Sequence, residues 1–575
     1  MIYDGIAGSE GFAAGRAYVY KNKQAGIEMR TVASEDVAGE LSRLEEGMKQ
    51  SRIQLRSLKE KISLELDEDK AQIFEAHMMM LEDPEFIGTI REAIRNDRAN
   101  AEYAVKKTAD HYISMFEQIE DAYMRERAAD IKDVSSRLIR NIAGLTSKDL
   151  RGIESPVIIV AHDLTPSDTA SMDKALVLGF TTDIGGATSH TAIMARSLGI
   201  PAVLGLGDIS ERIRDDDYII IDGLEGKVII NPSNEQQTEY AGKIAEYRRM
   251  REKLEGSACL PAVTTDGRSV EISGNIGTPE DIDDVVINGG DGVGLFRTEF
   301  LYMNRDELPT EEEQYGEYRK AAVKLGGKPL IIRTLDIGGD KKLPYLKLPE
   351  EMNPFLGWRA IRICLERKDI FMTQLRAILR AGASGNILIM FPMISGVAEV
   401  REAKKVLEEA KAELRSENLE FDGNLKVGIM VEIPSAAMTA DTIAKEVDFF
   451  SIGTNDLCQY AMAVDRMNPK VSKLYQPLHP GILMLIKNVI DASHKAGKFT
   501  GMCGEMAGSI EACIILLGLG LDEFSMSARS IPAIKDIIRN VSYEKAREIA
   551  CKALEMDTPE EVVEYSRDVL RRLNL

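Results

Sequence analysis

From about residue 261 the chain repeats one pattern, a short apolar run followed by a longer stretch of helical periodicity. The runs are Val270 to Ile276, Gly292 to Arg297, Leu330 to Thr334, Ile387 to Pro392, Lys426 to Glu432, Phe449 to Gly453, Phe499 to Cys503 and Glu523 to Met526. Apolar strands separated by helices are what a parallel sheet covered on both faces requires. Eight such runs predict a (β/α)8 TIM barrel, with an open parallel sheet as the alternative. In a barrel, chemistry collects just past the C-terminal ends of the strands. The second run ends in Arg297-Thr298-Glu299. The third ends in Arg333-Thr334-Leu335-Asp336 and continues into Ile337-Gly338-Gly339-Asp340-Lys341. The fifth ends in Glu432, the sixth in Gly453-Thr454-Asn455-Asp456 and the seventh in Cys503-Gly504-Glu505.

Each residue type has a use on such a rim. Arginine grips phosphate with a planar fork of donors and stays charged. Glu432 and Asp456 are hard oxygen ligands suited to Mg2+, which takes one or two carboxylates together with waters and substrate oxygens. Asn455 can donate to a carboxylate or phosphate. Cys503 can protonate a carbanion-like product if it is positioned as an acid. Arg359, which follows the single tryptophan Trp358 in the segment from Asn353, and Arg466 are further candidates for holding an anion. Taken one at a time, a strand-end carboxylate reads equally well as the partner of a neighbouring arginine, and a cysteine as core. Their gathering on one rim favours chemistry.

Upstream of the repeat the texture differs. Arg16 to Tyr20 reads as a strand, and Val37, Leu41, Leu44, Met48, Leu55, Leu58 and Ile62 step by threes and fours along an amphipathic helix that starts near Ser34. Residues 71–95, 99–120 and 122–143 continue in helical style. Together they predict a helical bundle, in which Met78-Met79-Met80 reads as adaptable filler and His77 and His111 as structural or surface residues. Beyond Ser155, the runs Val157 to Val160, Ala175 to Phe180, Ala202 to Leu204, Tyr218 to Ile221 and Val228 to Asn231 predict a small α/β unit. Residues 233–255 read as a linker helix.

Within the α/β unit lies Gly185-Gly186-Ala187-Thr188-Ser189-His190-Thr191. A strand and a glycine turn deliver His190 to a helix start, where unpaired N–H groups favour an anion. A capping turn with an exposed histidine explains the same string. As an anion-site imidazole, His190 is instead a candidate phosphate acceptor.

Composition narrows the classes. With 72 basic and 93 acidic residues the net charge is −21, which argues against nonspecific nucleic-acid binding and fits either a basic partner or acidity that only keeps the protein soluble. No apolar run reaches the roughly 20 residues of a membrane span, and the N-terminus has no signal core. Membrane insertion is therefore not expected, and the reading is cytoplasmic. The six cysteines form no CxxC pair, so neither a disulfide framework nor a zinc site is expected.

In order and spacing these motifs, with Gly294 to Phe300, Asp448 to Asp456 and Gly501 to Glu505, resemble the PEP-utilising enzymes. The closer likeness is to the phosphoenolpyruvate–protein phosphotransferases, the Enzyme I family of bacterial sugar phosphotransferase systems. Ala187 departs from that pattern, which carries arginine there in many members. The resemblance implies a phosphohistidine α/β domain from residues 1–22 and 148–230, with an inserted helical domain at 23–147 that docks the carrier protein HPr. It also implies a linker at 231–260 and a PEP-binding, dimerising barrel at 261–575. It implies that His190 carries the phosphoryl group, that Arg297, Arg333, Asn455 and Arg466 hold PEP, that Glu432 and Asp456 bind Mg2+ and that Cys503 is the proton donor. Two rivals stand beside it: a dikinase or synthase of the pyruvate-phosphate type, which needs an ATP-binding domain, and a scaffold protein with an inactive barrel.

Overall fold

The structure is a computed structural model. It describes residues 1–575 except 21–26, 66–67, 118–121, 145–152, 154, 166–167, 169–171, 173–174, 187–188, 304, 340–342, 344, 347–348, 350, 469 and 574. Side chains at 60–65, 68–73, 117, 122–127, 129, 190, 193, 197–198 and 255 are also outside the description. Ala187, Thr188, Asp340, Lys341 and the His190 side chain therefore lie outside the described residues, as do the boundaries anticipated near 22 and 148. The chain divides into two compact units, Met1–Met250 and Arg251–Leu575.

The first unit holds an eight-stranded sheet. Its strands are β1 (Ile2–Asp4), β2 (Ile6–Ser9), β3 (Phe12–Tyr20), β4 (Val157–Ala161), β5 (Val177–Thr182), β6 (Ala202–Leu204), β7 (Tyr218–Asp222) and β8 (Lys227–Ile230), in the order β1-β8-β7-β3-β4-β5-β6-β2. Strand β4 is buried at all five positions, as a central strand covered on both faces must be. The N-terminal strand is longer than the sequence suggests, starting at Phe12, and β1 and β2 precede it. Both are too short to show alternation, so only antiparallel pairing with β8 and β6 makes them strands.

Among the described residues, five helices lie between β3 and β4: α1 (Val37–Glu65), α2 (Glu68–Met80), α3 (Pro84–Asn96), α4 (Ala101–Glu117) and α5 (Ala122–Ala143). The stretch 71–95 is not one helix. Asp83 caps α3 by accepting from the N–H groups of Glu85 and Phe86 at 3.0 and 2.7 Å, and Pro84 occupies the first helical position, where its missing N–H costs nothing. Leu44, Leu55, Leu58, Phe74, Ile90 and Leu138 fill the bundle core. His77 is fully buried against Asp130 at 3.2 Å, so it is structural. Met78 and Met80 pack on that core, and Met79 is exposed.

The helix Asn234–Ser257 is less of a free linker than its polar sequence suggests. Tyr240 is buried on Ile220 and Ile229, and its hydroxyl donates to Asp222 Oδ2 at 3.1 Å. Tyr240 and Tyr247 also meet Phe12 edge to face.

The second unit is a closed barrel of eight parallel strands, which removes the open-sheet alternative. They are β9 (Glu271–Ile276), β10 (Gly292–Arg297), β11 (Leu330–Arg333), β12 (Ile387–Phe391), β13 (Lys426–Val431), β14 (Phe449–Ile452), β15 (Phe499–Met502) and β16 (Glu523–Met526), closing β16 onto β9. An outer core between strands and helices includes Ile272, Phe296, Ile332, Ile389, Ile429 and Phe450. A smaller inner core holds Leu295, Ile331, Leu388, Met390, Met430 and Phe449. Strands β11 to β15 each stop one residue before the sequence-read end, so Glu432 and Cys503 stand just past the ladder on the rim.

Candidate active site

Adjacent strand ends bring the rim together. Arg297 and Arg333 face each other in register across β10 and β11. Arg333 is buried, with Nη2 2.5 Å from Glu299 Oε1 and Nη1 3.1 Å from Asp336 Oδ2. Burial works against its charge, but Glu299, Asp336 and Glu432 more than offset that and hold it above the ordinary arginine range. Arg297 is half-buried at the end of β10.

Arg359 joins the same cluster from the segment after β11. Its Nη2 donates to Asp336 Oδ1 at 3.0 Å and to Asp456 Oδ2 at 3.3 Å, and its Nη1 to the Tyr460 hydroxyl at 3.1 Å. Gly338, at φ 110°, lets the backbone lie against this arginine: a Cβ there would stand 2.4 Å from Arg359 Cβ. Ala360 and Met393 are buried at φ 52° and 56° without being glycine, a strain of about 1–3 kcal/mol each that clusters at functional sites. The Met393 N–H donates to Glu432 Oε1 at 2.6 Å, so one strained residue anchors a proposed metal ligand.

Glu432 is buried, and burial first, then Asp456 and Asp336, push its pKa up to about 8. Carboxylates crowded in this way suit a hard divalent cation, which removes the repulsion. No three His, Cys, Asp or Glu side chains among the described residues form a metal cluster by themselves. Mg2+ needs only one or two carboxylates when water and substrate oxygens complete its shell.

Asn455 and Asp456 open the helix Thr454–Met462 directly after β14. Asn455 and Glu505 exchange two bonds, Nδ2 to Oε1 at 3.1 Å and the Glu505 N–H to Oδ1 at 3.0 Å, which ties this helix to the end of β15. Arg466 is half-buried beyond the helix, beside Tyr475. Cys503 is buried at the top of the inner core, and burial pushes its thiol up to about 11. A thiol held there carries its proton at neutral pH, so it is an acid and a poor nucleophile.

The residues that sequence reasoning passed over are the supports. Asp336 and Glu299 were visible at the strand ends without a role; here they fix Arg333 and Arg359. Tyr460 and Ser451, which sits beside the Cys503 thiol, gave no sequence signal.

In the first unit, β5 runs through Gly185, at φ 119°, into α6 (His190–Leu198). Ser189 caps this helix by accepting the Ala192 N–H at 3.3 Å, and Gly199 ends it in the left-handed region. His190 is thus the first helical residue. Ala192 and Ala195 pack into the sheet core while Met194 enters the bundle core, so α6 joins the two. His162, at the end of β4, is held differently: its Nδ1 lies 2.9 Å from Asp183 Oδ2, which also accepts from Ser210.

A parallel barrel whose rim gathers arginines, crowded carboxylates and a protonated thiol defines an enzyme site for a small, multiply charged anion. The chain belongs to the PEP-utilising enzymes, matching their PEP-binding domain over residues 251–543, their N-terminal domain over 4–127 and their mobile domain over 153–226. Among its relatives, the phosphoenolpyruvate-protein phosphotransferase of Listeria innocua is 52% identical over 97% of this chain and 98% of its own length. That of Bacillus subtilis is 51% identical over 99% of each. A solution NMR structure of an Enzyme I protein is 41% identical over 43% of this chain and 99% of that chain, with a TM-score of 0.39.

Proposed function

We propose that the protein takes the phosphoryl group of phosphoenolpyruvate onto its own His190, releases pyruvate, and passes the group to a histidine of the carrier protein HPr. The observation that carries this reading is the Arg297, Arg333, Arg359, Glu432, Asp456 and Cys503 cluster on one barrel rim. Arg297, Arg333, Asn455 and Arg466 hold the phosphate and carboxylate of the substrate, and Arg359 pairs with Asp336 and Asp456 beside them. Glu432 and Asp456 would hold Mg2+, which when bound would supply charge neutralisation for the substrate. The imidazole Nε2 of His190 attacks phosphorus in line, so catalysis is mainly positioning and charge stabilisation. As the N–P bond forms, the P–O bond to the enol oxygen breaks, and the enolate so released takes the Cys503 proton at C3.

One imidazole cannot meet both the rim and HPr at once, so the phosphohistidine domain moves as a rigid body between them. The bundle α1–α5, into which α6 inserts Met194, is the docking surface for HPr in this reading, and the barrel forms a homodimer. No helix among the described residues is long and apolar enough to cross a membrane, and a carrier protein as acceptor puts the reaction in the cytoplasm.

Labelled phosphoenolpyruvate tests the acceptor. The protein takes up one acid-labile phosphate in the presence of Mg2+; His190→Ala takes up none, and His162→Ala is labelled like the native protein. Labelling of His190→Ala sinks the assignment.

A further inference from the structure

Barrel interiors are filled by apolar layers, and here that holds on one side only. Along β9, β15 and β16 five inner positions are polar or vacated, namely Ser273, Asn275, Gly501, Glu523 and Ser525, with Phe499 at the start of β15 as the apolar exception. Glu523 is 3% exposed, and its carboxyl fits only because two facing strands carry glycine. A Cβ at Gly294 would lie 2.4 Å from Glu523 Oε1, and one at Gly501 would lie 2.2 Å from Oε2. Nothing in the phosphotransfer described above uses this acid, and a lone buried carboxyl is costly to keep.

Its surroundings lead both ways along the barrel axis. Below, Glu523 pairs in register with Glu271, which is exposed at the N-terminal mouth. Above, Cys503 stands two residues beyond Gly501, the register partner of Glu523, and the Glu523 charge is felt at its thiol. Between them Ser525 Oγ donates to Asn275 Oδ1 at 2.6 Å, and Asn275 Nδ2 donates to the Cys503 carbonyl at 3.0 Å. Ser273 lies beside Glu523, and Ser451 beside the thiol. Yet Ser273 Oγ, Glu523 Oε2 and Ser451 Oγ make no hydrogen bond of normal geometry to protein groups. The result is a polar column through the barrel from the Glu271 mouth to the Cys503 thiol.

We propose that Glu523 recharges Cys503, holding the proton that replaces the one given to the enolate. The proposal rests on the reading in which Cys503 is the acid. In the first step the C3–H bond forms as the S–H bond breaks, leaving a thiolate. In the second, S–H re-forms along the column as the Glu523 O–H breaks, leaving a carboxylate. That carboxylate then takes a proton from water at the Glu271 mouth. Burial pushes Glu523 up to about 7 and Cys503 to about 11, so transfer from the acid to the thiolate runs downhill. Glu523 touches no substrate; it is a positioning residue that acts through the thiol.

The test uses the whole protein with phosphoenolpyruvate and pyruvate carrying tritium and 14C at C3. Exchange of carbon between the two compounds needs only the first step and its reverse, whereas loss of tritium to solvent needs the thiol proton to be replaced. In Glu523→Gln, tritium lost per carbon exchanged falls about 10²-fold, the low end of the effect of a positioned proton donor, while carbon exchange stays close to native. Glu523→Asp restores part of the tritium loss. An unchanged ratio in Glu523→Gln overturns the proposal, because the thiolate is then recharged from the rim. Loss of carbon exchange in both variants also overturns it, by making Glu523 a structural residue. Cys503→Ala separates the two readings: if it keeps native carbon exchange, the acid assignment itself fails.

Discussion

Arg333 shows how much of the site is decided by single side chains. Its guanidinium is enclosed with Glu299 and Asp336, and the pair of acids needs it as much as a substrate phosphate does. Removing one partner from a buried ion cluster leaves uncompensated charge, which costs about 3–5 kcal/mol. Arg333→Met is therefore expected to lower the urea midpoint of the barrel as well as to abolish turnover, whereas Arg333→Lys keeps the charge, loses the fork, and lowers kcat/KM more than stability. The strand-end rule picked out Arg333, Glu432, Asp456 and Cys503 because each follows an apolar run. It gave no role to Glu299 and Asp336, since which acid meets which arginine depends on the register of neighbouring strands. It was silent on Ser451 and Glu523 as well, whose significance lies in what faces them across the barrel.

At the scale of elements, the rim depends on how closely loops and helices approach. Gly504, between Cys503 and Glu505, has no room for a side chain: a Cβ would lie 2.0 Å from Thr454 Oγ1 and 2.6 Å from Thr454 N. Gly504→Ala must push the end of β15 away from the helix that carries Asn455 and Asp456. The Asn455–Glu505 bonds then break. Turnover of phosphoenolpyruvate is expected to fall by about 10²-fold, in line with the cost of a misplacement of ~1 Å, while far-ultraviolet circular dichroism stays native. Pro84 and Asp83 make the same point for the bundle. The periodicity ran through them, yet a capped N-terminus with proline in its first turn starts a new helix, and the sequence carried that signal plainly.

For the whole molecule, the extent of the first unit has a consequence that can be measured. Tyr240 and Tyr247 of the helix Asn234–Ser257 cover Phe12, Ile220 and Ile229 on the sheet. A fragment of residues 1–250 is expected to fold and to exchange phosphate with phospho-HPr but not with phosphoenolpyruvate. A fragment of residues 1–230 uncovers that face and should melt at lower temperature in a calorimeter; equal melting would remove the packing argument.

Periodicity and punctuation alone determined the order of elements. Runs of apolar residues with helices between them specify a parallel barrel, and glycine before a capped helix places His190 at a helix start, because these signals act over a few neighbours. Contacts distant in sequence decided the rest. Strands β1 and β2 exist by pairing with β8 and β6, a polar-looking helix packs on the sheet through two tyrosines, and Arg333, Arg359, Asp336 and Glu432 become one charged cluster. Burial and Coulomb interaction depend on distances in space, and barrel closure sets those.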